Sequence, residues 1–271
     1  MRPIHFSLFV LFLFSVLSVK SQISNDSIPR HDSFTITSHQ LSEIRKINIW
    51  TPANYKTNYD SLPVLYMLDG GIQEDFPHIA NTIAKLIEEK KINPLILVGI
   101  ENTQRRKDLT GPTSVKRDKK IAPVVCGSAS FRNFIKDELI PEINKRYHTK
   151  EKKGIIGESL AGLFITETFL LTPDLFDTYI AFDPSLWWNN EYLVKHTKAI
   201  LKSFTTKRKI FWFAASGEET IADNVKQLSE ILKTSNKENI LWNYLPQPNE
   251  KHSTIFRATK EKALTWALNQ L

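Results

Sequence analysis

The chain has 271 residues, 41% hydrophobic and 24% charged, which excludes a disordered, collagenous or heptad-repeat polymer and suits one packed α/β-sized domain. Its net charge of +7 comes from 36 Lys+Arg against 29 Asp+Glu, but the lysines are dispersed, as at Lys150, Lys152, Lys153, Lys207 and Lys209; this predicts a solvated surface and no nucleic-acid partner. The single cysteine, Cys126, excludes an internal disulfide framework and a cysteine-built metal site.

Residues 1–21 read as an export signal. Arg2 precedes an apolar stretch from Ile4 to Val19, and the small residues Ser18 and Ser21 lead into a polar segment from Gln22. The stretch is shorter than the roughly 20 residues of a spanning helix, so cleavage near Ser21–Gln22 is expected, although an uncleaved anchor would share the pattern. No cysteine at the exit invites lipid attachment. Residues 22–271 are then a single domain, periplasmic or secreted, with no stable membrane insertion after cleavage; the sequence leaves the oligomeric state open.

Along that domain, strands and helices alternate. Residues 44–51 alternate apolar and polar side chains, as a half-buried strand does, while 63–69 (PVLYMLD) and 94–100 are continuous apolar runs that suit strands covered on both faces. Between them, residues 76–90 place Ile79, Ile83, Leu86 and Ile87 on one helical face. Residues 101–128 are polar, basic and unpatterned, which predicts a functional or a mobile loop after a buried strand. A second amphipathic helix is predicted over 130–147 despite Pro141, followed by a short strand at 154–157 and an apolar helix at 160–171. Strands at 179–183, 210–215 and 240–245 alternate with helices at 189–203, 222–233 and 253–271. This order predicts a mainly parallel sheet with helices on both faces.

The strongest chemical signal is Gly157-Glu158-Ser159-Leu160-Ala161-Gly162, between a predicted strand and a predicted helix. A nucleophile elbow needs small residues two positions either side of its serine, and Gly157 and Ala161 stand there, with Ala in place of the usual second Gly. An ordinary turn with Ser159 as a helix N-cap would use similar residues. A serine nucleophile needs a base, and this type of fold takes its residues in the order serine, acid, histidine. Only His196 and His252 follow Ser159; His196 lies within a predicted helix and His252 in a polar loop before the last one, so His252 is the expected base. The acid is expected after the strand at 210–215, in Ser216-Gly217-Glu218-Glu219-Thr220, with Glu219 preferred, then Glu218, then Asp223. Two N–H donors should face the developing oxyanion: Leu160, and Gly71 in the Asp69-Gly70-Gly71 turn.

Taken together, several stretches resemble the putative esterase family, the esterase-D-like branch of the α/β-hydrolases. They are Val64 to Gly70, Val98 to Thr110, Phe134 to Tyr147, Gly157 to Gly162 and Asp183-Pro184-Ser185-Leu186-Trp187-Trp188-Asn189, spread over roughly residues 45 to 270. The resemblance implies an α/β-hydrolase fold, with Ser159 as nucleophile and His252 as base. It also implies that the Arg105/Arg106 loop and the Trp187-Trp188 pair lie beside the pocket, where guanidinium groups suit anionic substrates and an indole suits a planar acyl group. Thr220 stands where many relatives carry a carboxylate, so the register of the acid shifts or a serine–histidine dyad operates. The expected activity is hydrolysis of a small-molecule carboxylic ester by an exported enzyme with no metal or organic cofactor, with a ferric siderophore trilactone as the foremost substrate. A feruloyl or aryl carbohydrate ester is the next reading. A non-catalytic binder of anionic ligands on the same fold, and adhesion to polyanions through net charge, are the readings outside enzymology.

Overall fold

The structure, a computed structural model, describes residues 26–204 and 206–270; the predicted export signal lies outside them. The chain opens with β1 (Asp32–Ser38) and β2 (Glu43–Trp50), then α1 (Tyr55–Asn58), β3 (Leu62–Met67), α2 (Phe76–Glu88) and β4 (Ile96–Ile100). The connection that follows carries α3 (Arg105–Asp108) and α4 (Lys116–Ile121) and leads to α5 (Ser128–Phe134), a π-turn over Ile135–Leu139 and α6 (Ile140–Arg146). Strict alternation then sets in: β5 (Thr149–Glu158), α7 (Leu160–Leu171), β6 (Thr178–Phe182), α8 (Trp188–Lys202), β7 (Lys209–Ala215), α9 (Glu219–Ser235), β8 (Ile240–Pro246) and α10 (Ile255–Leu268).

These strands form one eight-stranded sheet in the order β1-β2-β4-β3-β5-β6-β7-β8. β1 and β2 run antiparallel at one edge, and every pairing from β4 through β8 is parallel. Parallel strands need covered faces, and the sequence supplies two apolar helix sets. On one face, Ile79, Ile83 and Leu86 of α2 pack with Ala263, Leu264 and Ala267 of α10 over Met67, Ile156 and Trp212. On the other, Phe164 and Phe169 of α7 join Val225 and Leu228 of α9 over Val64, Ile155 and Phe211. The side chain of each successive strand residue therefore enters one core or the other, which is why β3, β4 and β6 read as nearly unbroken apolar runs, whereas β5 turns apolar only in its buried second half, Ile155 and Ile156. Among the described residues no helix is long and apolar enough to cross a membrane.

Three local features differ from the sequence pattern. β1 has no counterpart among the predicted strands: its sequence DSFTITS offers only Phe34 and Ile36 to the core, both half-buried. The helix predicted over 130–147 is continuous in backbone direction but widens into the π-turn just before Pro141. A proline ring would clash with the carbonyl four residues back in a regular α-turn, and widening the turn relieves that crowding. At the start of α8, Asn189, Asn190 and Glu191 adopt left-handed backbone (φ 49°, 53° and 61°), so the regular helix begins later than its apolar spacing suggests. The buried Asp118 of α4 accepts a hydrogen bond from Asn189 N at 2.8 Å and ties this turn to the basic connection.

Candidate active site

β5 is a central strand, and its carboxyl end delivers Ser159 through a turn in which no intermediate residue absorbs the change of direction. Ser159 has φ 62° and ψ −118°, a conformation costly for a residue with a Cβ and characteristic of a nucleophile elbow. The small neighbours make the turn possible: a Cβ on Gly157 would lie 2.6 Å from the Ala161 Cβ, and one on Gly162 would lie 2.9 Å from the Phe182 carbonyl oxygen. The methyl of Ala161 thus fits because residue 157 has none. Ser159 N donates to Phe182 O at 2.9 Å, anchoring the elbow to the neighbouring strand.

His252 arrives from the loop between β8 and α10. Its Nε2 lies 3.0 Å from Ser159 Oγ, and its Nδ1 lies 2.6 Å from Asp183 Oδ2. A carboxylate oxygen only accepts, so Nδ1 carries the proton, Nε2 is the acceptor, and the Ser159 hydroxyl donates to it. Asp183 is fully buried directly after β6, with a left-handed φ of 45°. Its other contacts come from the residue after β7: Ser216 N donates to Oδ1 at 2.6 Å and Ser216 Oγ to Oδ2 at 2.8 Å. The His252 loop is held by the same strand end, with Gln247 N on Ala215 O and Gly217 N on Glu250 O.

The carboxylate on the imidazole is therefore Asp183, neither Glu219 nor Glu218. Glu219 is the exposed first residue of α9, and Asp223 is exposed one turn on. Glu218 Oε1 instead accepts the His252 backbone N–H at 3.1 Å, which fixes the loop and not the ring. Glu218 and Glu219 follow β7, whereas Asp183 follows β6, one strand nearer to Ser159 in the sheet. Its sequence signal is the one the glutamates share, an acidic residue directly after a buried strand, and the lateral order of the strands is what singles it out.

The other predicted residues divide similarly. Leu160 is the first residue of α7, so its N–H has no intrahelical acceptor. Gly71 N–H is already engaged: it donates to Glu74 Oε2 at 2.7 Å, and Asn102 Nδ2 holds the other oxygen of that carboxylate at 2.8 Å. Arg105 is taken up by Asp69, with Nε on Oδ1 at 2.5 Å and Nη2 on Oδ2 at 2.8 Å, while Nη2 also approaches Glu158 O at 3.4 Å. It braces the Asp69 turn against the elbow and is not free to clamp an anion. Arg106 is exposed and donates to Ile121 O at 2.7 Å, tying α3 to α4. Trp188 is buried with its Nε1 donating to Gly111 O at 3.2 Å, a packing residue rather than a ligand platform. Trp187 is half-buried, and the guanidinium of the exposed Arg117 lies 5.2 Å from its ring centroid.

Burial and charge tune the site. The Asp183 hydrogen bond, with the Glu158, Asp183 and Glu218 carboxyl groups, raises the His252 pKa above 6.5 against the opposing effect of burial. Burial, helped by Asp75, Asp183 and Asp69 and opposed by His252, pushes the carboxyl of Glu158, next to Ser159, up to about 8. Burial also raises Glu74.

Comparison with known proteins finds esterases among the relatives of this chain. The ferri-bacillibactin esterase BesA of Bacillus subtilis is 29% identical over 229 residues, covering 76% of this chain and 79% of that protein. The apo-salmochelin esterase of Escherichia coli is 24% identical over 241 residues, covering 81% and 74%. Among solved structures, an IroE-like serine hydrolase from Shewanella oneidensis superimposes with a TM-score of 0.82 at 22% identity, over 89% of this chain and 80% of that one. The putative esterase family matches residues 38–256. The chain belongs to the putative esterase family and is a carboxylic ester hydrolase.

Proposed function

We propose that the protein is a serine esterase that opens the ester bonds of a siderophore through an acyl-enzyme. The observation that carries the reading is the unbroken line from Asp183 through His252 to Ser159 at a strained strand-to-helix turn. Ser159 Oγ attacks the ester carbonyl while His252 Nε2 takes its proton, and Asp183 holds the ring in the required tautomer and stabilises the imidazolium. His252 then returns the proton to the departing alkoxide. Water repeats the sequence on the acyl-enzyme, releasing the acid and restoring the Ser159 hydroxyl. Leu160 N–H faces the developing oxyanion from the start of α7; Gly71 N–H joins it only where the Glu74 carboxylate gives way.

For the substrate, support comes from the relatives, which act on ferri-bacillibactin and apo-salmochelin, and from the basic connection. Arg106, Lys116, Arg117, Lys119 and Lys120 are exposed there, with Arg117 over Trp187, a cationic and aromatic surface suited to an anionic aryl ligand. With a leader over residues 1–21, the reaction would take place outside the cytoplasm. Hydrolysis of a ferric tris-catecholate trilactone, its iron-free form, a feruloyl ester and a short nitrophenyl ester tests the assignment. The trilactones should be turned over with the highest kcat/KM; a preference for the feruloyl ester would move the enzyme to carbohydrate esters.

The pH dependence has a defined sign. Only neutral His252 can accept the Ser159 proton, and its pKa is raised, so kcat/KM should fall as pH drops through a limb centred above pH 6.5. A limb centred below 6.5 would contradict the coupling of His252 to Asp183.

A further inference from the structure

Ser185 lies two residues after Asp183 and is 2% exposed, so its hydroxyl must be satisfied from within the protein. Among the described residues that hydroxyl has one hydrogen-bonding partner, Ser159 Oγ at 3.4 Å. The backbone fixes the approach: Ser185 N donates to Ser159 O at 3.1 Å, and Trp188 N donates to Ser185 O at 3.1 Å, so residue 185 is tied both to the elbow and to the turn that follows. Direction follows from proton bookkeeping. The single hydroxyl proton of Ser159 is directed to His252 Nε2, hence Ser185 Oγ–H must be the donor and Ser159 Oγ the acceptor.

We infer that Ser185 is a further catalytic residue, a hydroxyl that donates to the nucleophilic oxygen and stabilises it whenever it carries negative charge. The inference rests on Ser159 being the nucleophile. In acylation, Oγ gains charge as its proton passes to His252 and before the bond to the carbonyl carbon is complete. In the acyl-enzyme, Oγ is an ester oxygen and a poor acceptor, so the contact weakens. In deacylation, the same oxygen is the leaving group; charge returns to it as the carbon–oxygen bond breaks, and the Ser185 donor assists its departure until His252 reprotonates it. A donor to this one atom therefore lowers both barriers, and it acts on a position distinct from the oxyanion, which forms on the substrate's carbonyl oxygen. The 3.4 Å separation is long for a hydroxyl pair in the resting enzyme, which fits a contact that tightens as charge develops.

The test compares wild type, Ser185→Ala and Ser185→Thr on a short nitrophenyl ester and in the rate of Ser159 modification by a fluorophosphonate. Ser185→Ala should lower kcat and the modification rate by about tenfold, with KM and the acid limb of the pH profile unchanged, and Ser185→Thr should recover most of the loss by restoring a hydroxyl. A merely structural role would instead move KM, the melting temperature or the His252 limb. A Ser185→Ala enzyme within twofold of wild type in both rates overturns the inference, as does an equal loss in Ala and Thr variants that melt like wild type. Failure of the underlying reading looks different: Ser159 would go unmodified in the wild-type enzyme.

Discussion

Ester turnover in a Ser159→Ala variant is expected to fall by about 10⁴- to 10⁶-fold, with the fold unchanged. The imidazole at 3.0 Å has no other hydroxyl to deprotonate in the same geometry, because Ser185 Oγ faces Ser159 and not the ring. What survives should be the contribution of binding and of the Leu160 donor, since removing one member of such a unit leaves only the remaining stabilisation of the oxyanion. Folding should not suffer. Residue 159 keeps its Cβ and hence its strain at φ 62°, the backbone bonds to Phe182 and Ser185 do not involve the side chain, and the lost hydroxyl was only partly buried. The measurements are steady-state hydrolysis of a nitrophenyl ester and a thermal melt on the same preparations. Turnover at the wild-type rate in a folded Ser159→Ala enzyme would remove the nucleophile from the proposal altogether.

The elbow and the histidine were legible because each imposes a local requirement. Gly157, Ser159 and Ala161 follow from the sterics of one tight turn, and His252 from a polar loop after the last strand; both can be seen without knowing what lies across the sheet. The partner carboxylate cannot. Glu218, Glu219 and Asp183 all follow buried strands, and only the lateral order β5-β6-β7 decides which of them meets the ring. Asp183 wins because its N–H is bonded to Ala214 O and its side chain to Ser216, so β7 aims it back toward β5. The substrate-side residues show the same limit. Arg105 reads as a free cation until Asp69 is seen to occupy it, and Trp188 reads as a stacking surface until the Gly111 carbonyl is found on its indole nitrogen. The polar connection over 101–128 has no apolar period because its order comes from long-range anchors: Arg45 paired with the buried Asp108, and Asp118 bonded to the turn at Asn189. β1 escaped notice for a related reason, since an edge strand that presents one half-buried face carries too little apolar signal to stand out.

Replacing Asp183 by asparagine should lower kcat by about 10⁴-fold without unfolding the protein, whereas Glu219→Gln and Glu218→Gln should each stay within about threefold of wild type. The asymmetry follows from hydrogen-bond polarity. Ser216 N–H points at Oδ1, so an asparagine would place its amide oxygen there and turn its NH₂ toward His252. Two donors cannot share Nδ1; the imidazole must then carry its proton on Nε2 and accept at Nδ1. In that tautomer Nε2 has no lone pair for the Ser159 proton, and the nucleophile loses its base although every heavy atom remains near its original position. Glu219 touches neither ring nitrogen, and Glu218 meets His252 only through the main chain, a bond that the glutamine oxygen can still accept. Alongside the rate loss, the acid limb of any residual activity should move to lower pH, because the hydrogen bond to Asp183 is the largest influence raising the His252 pKa. The comparison needs only the three variants, one ester and a pH series. An active Asp183→Asn enzyme beside an inactive Glu219→Gln enzyme would return the acid to the end of β7 and make the Asp183–His252 contact incidental to catalysis.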